Sequence, residues 1–244
     1  NSTGYYNSAF GSEAMYYNTT GINNVALGFR ALQNNTTASN NTAVGYQAAY
    51  SNTTGNNITA VGSGALQANA STTGSGNTAL GSQSLQANTT ASENTAVGWQ
   101  AMYTNTGGNS TAVGANAMYA NTTGTYNVAV GNVALYTNTT GGQNTAVGRD
   151  ALRFNTTASH NTAVGYQAGY SNTTGNGITA VGSSVLFANT TGTQNVGMGG
   201  FAPGLQYAAL TSNTTGSQNN AFGVGALTAN TTAGANNAFG YNAL

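Results

Sequence analysis

The amino-acid sequence predicts an all-β fold, a parallel β-solenoid (β-roll) of about fourteen 17-residue coils. Three observations predict it. First, a glycine preceded by an apolar residue recurs at Gly11, Gly28, Gly45, Gly62, Gly81, Gly98, Gly114, Gly131, Gly148, Gly165, Gly182, Gly199, Gly223 and Gly240, and ten of the thirteen spacings are 17 residues. Second, an Asn-Thr-Thr-Gly type of segment separates these glycines. Asn and Gly tolerate positive φ there, and Asn and Thr side chains can bond local backbone, so it reads as a turn. Third, no unit carries a 3.6-residue apolar stripe longer than one turn, which argues against helix. A unit this short cannot bury a core alone, whereas stacked units bury a continuous one.

Each unit can be read in order from its glycine, taken as position 0. Position −1 is always apolar, and position −2 is Ala in every unit but the one with Gly197. A short strand is expected at Thr42-Ala43-Val44-Gly45, with Thr42 and Val44 on one face and Ala43 and Gly45 on the other. A second short strand is expected over Gln47–Tyr50. Position +3 is usually Ala, +4 usually Leu or Met, and +7 is Asn wherever the count runs without a gap. At one strand spacing per coil, fourteen coils would make a rod roughly 65–70 Å long.

Departures from the period mark tolerant loops. The spacing is 19 after Gly62, 16 after Gly98 and 24 after Gly199. The first two changes follow the +7 Asn, where an exposed turn is expected. The third, about residues 200–212, holds the only proline, Pro203, and is expected to bulge away from the coil with apolar residues able to contact a neighbouring chain. Residues 41–63 and 161–183 are nearly identical at an offset of 120, so the single continuous domain 1–244 reads as two diverged seven-coil blocks. The chain opens on the tail of a unit and stops inside one, as expected of a segment of something longer.

Only 2% of residues are charged and the net charge is zero, against roughly a quarter charged in ordinary soluble proteins. Such a surface has no footprint for nucleic acid. No apolar run approaches the roughly 20 residues needed to cross a bilayer, so membrane insertion is not expected. The absence of cysteine excludes disulfides and thiolate metal sites. No cofactor is expected. Glu93 and Asp150 sit in different phases of the repeat, three coils apart, and His160 shares the phase of Glu93 four coils away, so no catalytic set is expected and neither is an enzyme. Arg149, Asp150 and Arg153 read as a surface ion pair of little energetic value.

Two stripes remain as candidate sites. Asn-x-Ser/Thr sequons start at Asn1, Asn18, Asn35, Asn52, Asn69, Asn88, Asn109, Asn121, Asn138, Asn155, Asn172, Asn189, Asn213 and Asn230. They are either N-glycosylation acceptors, which would supply solubility to an uncharged chain, or an inward ladder of amides bonded along the axis. An aromatic stripe falls at +5, at Tyr16, Tyr50, Tyr103, Tyr119, Tyr136, Tyr170 and Phe187, and a second at +1, at Phe29, Tyr46, Trp99, Tyr166 and Tyr241. These stripes could stack on sugars, pack against sister chains or stack along the coil axis. Unpaired coil ends and apolar faces point to self-association. The threonines of the Asn-Thr-Thr repeats, placed in turns, make a flat ice-binding array a weaker fit.

Val25-Ala26-Leu27-Gly28, Thr42-Ala43-Val44-Gly45 and Val128-Ala129-Val130-Gly131, each preceded by Asn and followed by Ala three residues on, resemble the head repeats of the YadA-like trimeric autotransporter adhesins, and similar repeats of phage tail-fibre proteins. The resemblance implies a left-handed parallel β-roll, three chains side by side, displayed outside the cell or on a virion. The expected function is a structural or adhesive segment of an extracellular fibre. The expected partners are further copies, as a homotrimer or an end-to-end filament, and glycans or host-surface ligands.

Overall fold

The structure, a computed structural model, describes residues 3–68, 74–201 and 207–244. It is a parallel β-solenoid of 17-residue coils, with no helix among the described residues. Each coil contributes one three-residue strand. The chain forms two compact units, residues up to Thr123 and from Gly124 onward. The first holds β1 (Ser8–Phe10), β2 (Val25–Leu27), β3 (Thr42–Val44), β4 (Thr59–Val61), β5 (Thr78–Leu80), β6 (Thr95–Val97) and β7 (Thr111–Val113). The second holds β8 (Val128–Val130), β9 (Thr145–Val147), β10 (Thr162–Val164), β11 (Thr179–Val181), β12 (Val196–Met198), β13 (Asn220–Phe222) and β14 (Asn237–Phe239). Within each unit the strands pair in parallel in chain order and in register, Ala43 opposite Ala60 and Ala163 opposite Ala180.

The strand takes the orientation its alternation dictates. Ala43 is buried while Thr42 and Val44 stay half-exposed. The Thr of the strand therefore lies on the outer face of a sheet, and Thr42, Thr59, Thr78, Thr95 and Thr111 follow one another up that face. The Asn-Thr-Thr threonines, such as Thr53 and Thr54, lie in the bends instead. Inside, the −2 and +3 alanines and the +4 Leu or Met make a thin core, with Ala43, Ala48, Leu66 and Leu135 fully buried.

The expected second strand over Gln47–Tyr50 is not a strand. Gln47 and Ala49 adopt φ of 53° and 48°, in the left-handed region. The alternation turns every second N–H group toward opposite neighbours: Gln47 N–H donates to Phe29 O at 2.9 Å and Ala49 N–H to Ala65 O at 2.9 Å, while Ala48 N–H bonds Gly45 O within the coil. The backbone thus bonds up and down the stack without β geometry. Asn57 supplies a third left-handed position ahead of the next strand, φ 57°. Non-glycine residues hold such angles only where the surroundings over-determine them, at a cost of roughly 1–3 kcal/mol each, and here each coil templates the next.

The position 0 glycine is fixed more tightly. Gly45 has φ +135°, and a Cβ there would lie 2.6 Å from Gly62 O. No side chain fits between carbonyl and coil, so every coil keeps its glycine.

Two coils depart together. Where +4 shrinks to Ala49 or Gly169, the next coil replaces its −4 residue, normally Asn, with Ile58 or Ile178, both buried. A Cβ on Gly169 would lie 3.3 Å from Ile178 Cδ1 and 2.9 Å from Leu152 Cδ2. The isoleucine reaches into the volume that the missing leucine vacates, a swap that conserves core volume.

The long spacing after Gly199 also resolves differently from expectation. Phe201 N–H bonds Ser183 O and Ala209 N–H bonds Gly199 O, the pattern of positions +2 and +3 in an ordinary coil. Ala208, Ala209 and Leu210 are fully buried. They belong to the core and do not leave it. The inserted residues fall between 201 and 209, and 202–206, Pro203 included, lie outside the described residues.

Candidate functional site

The Asn stripe points inward. Asn18, Asn35, Asn52, Asn88, Asn121, Asn138, Asn155, Asn172, Asn189 and Asn213 are buried. Asn230 is half-buried at the end of its unit, Asn109 is exposed, and Asn1 and Asn69 lie outside the described residues. Each buried Nδ2 can donate twice. Asn155 donates to Asn138 Oδ1 at 2.8 Å and to Ala158 O at 3.0 Å, and Asn172 repeats this toward Asn155 Oδ1 and Gly175 O. In the second unit the chain of bonds is unbroken from Asn138 through Asn155, Asn172, Asn189 and Asn213 to Asn230. A glycan on such a nitrogen would replace a proton already in use and would have to fit inside the coil. The buried members of the stripe therefore leave no room for a sugar, whereas Asn109 is exposed.

The first unit carries the same ladder with a fault. Asn35 and Asn52 continue from Asn18, but the buried Oδ1 of Asn88 has no partner. Asn105, in the 16-residue coil, donates to Gly107 O instead. The lost residue shortens the turn and draws the amide away from its neighbour.

A second inward column, at −4, was read from the sequence only as the residue before the strand. Asn24, Asn41, Asn77, Asn94, Asn127, Asn144, Asn161, Asn195 and Asn219 are buried there. The Oδ1 of Asn144 accepts the backbone N–H of Asn161, one coil on, at 3.0 Å, and its Nδ2 donates to Ala158 O at 2.9 Å. Each such Asn satisfies both a donor and an acceptor where the chain enters the strand, an arrangement buried polar groups require. The cue in the sequence was the Asn that precedes nearly every Thr-Ala-Val-Gly.

The turn threonines form a third ladder. Thr36 Oγ1 donates to Thr53 O at 3.1 Å, and Thr139, Thr156 and Thr173 repeat the bond. Their hydroxyl protons are used inside the stack.

The outer surface is where coils differ. In the +5 column Tyr16 is exposed and Tyr50, Tyr103, Tyr119, Tyr136, Tyr170 and Phe187 are half-buried. Tyr103 and Tyr119 stack at 5.1 Å, and Tyr170 and Phe187 at 4.9 Å. Neighbouring rings in this column thus stack on one another along the coil axis.

The charged residues are not a loose surface group. Asp150 has only 3% of its side chain exposed and sits between Arg149 Nε at 3.2 Å and Arg153 NH1 at 2.8 Å. Arg153 lies against the rings of Tyr136, Phe154 and Tyr170 at 5.5–6.0 Å, and its buried Nε has no partner. In the first unit Glu13 instead accepts from Arg30 Nε at 2.7 Å and Gln33 Nε2 at 2.6 Å, and that bond raises the guanidinium further above its ordinary value. Glu93 and His160 are exposed. No group of three His, Cys, Asp or Glu residues able to hold a metal occurs among the described residues, and no helix is long and apolar enough to cross a membrane.

Between the +1/+2 edge and the +5 column runs a groove. At coils β10–β12 it opens into a cavity of about 500 Å³ lined by Tyr166, Gln167, Ser183, Ser184, Phe187, Phe201 and Thr211. At coils β3–β5 the same positions, Tyr46, Gln47, Ser63, Gly64, Gln67, Gln83 and Gln86 among them, enclose about 150 Å³. There Gln67 donates to Gln47 at 2.6 Å and Gln86 to Gln67 at 2.7 Å, an amide ladder that fills the channel.

No protein-family model, curated protein or solved structure matches this chain.

Proposed function

We propose that this chain is a structural and adhesive segment of an extracellular fibre or filament, and that it associates with further copies of itself. The observation that carries the reading is the outward −1 column of the sheet. In the first unit Leu27, Val61, Leu80 and Val113 are exposed large apolar residues, with Val44 and Val97 half-exposed between them. In the second, Val164 and Met198 are exposed at the same −1 position of their coils. An apolar strip along each unit, on a surface with 2% charged residues, is what an interaction face offers. A repetitive fold with one face inward and one available suits lateral packing of parallel coils, as a trimer or a filament, at a cell surface or on a virion. A tail-fibre shaft is the virion form of the same reading.

Sedimentation velocity over a wide concentration range tests it. Self-association is expected, and Val61→Glu with Val164→Glu should dissolve it while leaving the circular dichroism spectrum unchanged. A monomer at every concentration would contradict the reading.

A second reading draws on one observation. The strand threonines Thr42, Thr59, Thr78, Thr95 and Thr111 form a regular outward array beside the valines, a surface on which water could order. A thermal-hysteresis measurement decides it: a freezing-point gap supports ice binding, and none removes it.

A further inference from the structure

We propose that the second unit binds a carboxylated sugar, a uronate-type pyranose, in the aromatic groove of coils β10–β12 beside Arg149 and Arg153. The inference needs only one copy of the chain and stands apart from the fibre reading.

The walls supply the first argument. Tyr166, Phe187 and Phe201 face a cavity of about 500 Å³ whose other lining groups include Gln167, Ser184 and Thr211. That volume lies in the range of small-molecule sites, which pair apolar walls with a few placed polar groups. A pyranose matches this pairing, because its C–H faces stack on aromatic rings while its hydroxyls need amide and hydroxyl partners. Tyr166 and Phe201 are each more than 40% exposed, and the guanidinium of Arg149 lies 6.0 Å from the centre of the Tyr166 ring, which sets the charge beside this wall.

The charge supplies the second. One coil before Tyr166, two guanidiniums share a single carboxylate, leaving one surplus positive charge. Asp150 is buried beneath them and Arg149 has 67% of its side chain exposed. Arg149 spends Nε on Asp150, which leaves its terminal nitrogens available as the fork that fits a carboxylate. From this coil to β11 is two strand spacings, about 10 Å, the reach of a disaccharide.

The matching positions of the first unit argue by contrast. Phe187 is matched by Gln67 and Phe201 by Gln83, the channel shrinks to about 150 Å³, and Arg30 is already balanced by Glu13. The coil alone does not make the site, which depends on the particular rings and charges of the second unit.

Isothermal titration calorimetry of the intact chain with trigalacturonate and with its methyl ester tests the proposal. The acid should bind, the ester at least about tenfold more weakly, and salt should narrow the gap. Tyr166→Ala should weaken both about tenfold or more. Arg149→Gln should bring the acid down to the level of the ester. Tyr46→Ala, the matching position in the first unit, should change neither. All three side chains are at least 46% exposed, and circular dichroism checks that each variant keeps the fold. No binding of the acid, equal binding of acid and ester, or an equal loss on Tyr46→Ala would overturn the proposal.

Discussion

Coils β3–β5 of the first unit and β10–β12 of the second are built on the same positions, Tyr46 matching Tyr166 at an offset of 120 residues. Their inward halves are nearly interchangeable. Ala43 and Ala163 are both fully buried, and Asn52 and Asn172 make the same two bonds. Even the compensating pair recurs, Ala49 with Ile58 and Gly169 with Ile178. Their outward halves are not alike: one channel is closed by glutamine amides, and the other is opened by aromatic rings. The comparison teaches that stacking constrains whatever touches the next coil and leaves the outer positions free to diverge.

The largest expected effect tests the constrained half in both units at once. Gly45→Ala and Gly165→Ala each place a Cβ 2.6 Å from the next coil's backbone at a φ of +135°. Both should destabilise by roughly 3 kcal/mol or more, measured by denaturant unfolding, and by similar amounts. Tolerance in either unit would break the equivalence.

The ladders should separate the units. Asn155 makes two donated bonds and accepts from Asn172 at 3.1 Å and Asn161 at 3.4 Å. Asn88 donates to Ala91 O and leaves its Oδ1 unpaired. Asn155→Ala should cost roughly 2–4 kcal/mol and Asn88→Ala roughly 1–2 kcal/mol, since fewer buried groups are orphaned. Equal losses would mean that the fault in the first ladder carries no energy.

Much of this was legible in the sequence, and the rest was hidden for physical reasons. The period, the strand at Thr42–Val44 and the facing of Ala43 follow from the glycine register and strand alternation. The Gln47–Tyr50 segment was misread because no composition rule anticipates left-handed Gln47 and Ala49; only the neighbouring coil enforces those angles. The burial of Asp150 was missed because a charged residue beside two arginines looks like surface. The Tyr166–Phe187–Phe201 groove was hidden because its walls are 14 to 35 residues apart in the chain, and the inserted segment disguised Phe201 as a loop residue although it occupies an ordinary +2 position.

A coupling energy, smaller than these losses, tests the compensating pair. Ile178→Asn alone should cost roughly 2–4 kcal/mol, from a cavity and an unsatisfied amide. Adding Gly169→Leu restores the ordinary coil and should recover part of that loss, with a coupling of roughly 0.5–2 kcal/mol in the double-mutant cycle. Strict additivity would show that the two positions do not share volume. The smallest effect belongs to the outer face: Val61→Thr and Val181→Thr should each lie within about 0.5 kcal/mol of the parent stability.

The central claim, that inward asparagine columns hold each coil to the next, is tested most directly at the side-chain amides themselves. Hydrogen exchange on protein labelled with ¹⁵N at asparagine reads them by NMR. The Nδ2 protons of Asn155, Asn172 and Asn144, each bonded inside the coil, should stay protected long after those of exposed Asn57 and Asn109 have exchanged. Exchange of all of them together at the unprotected rate would contradict the account.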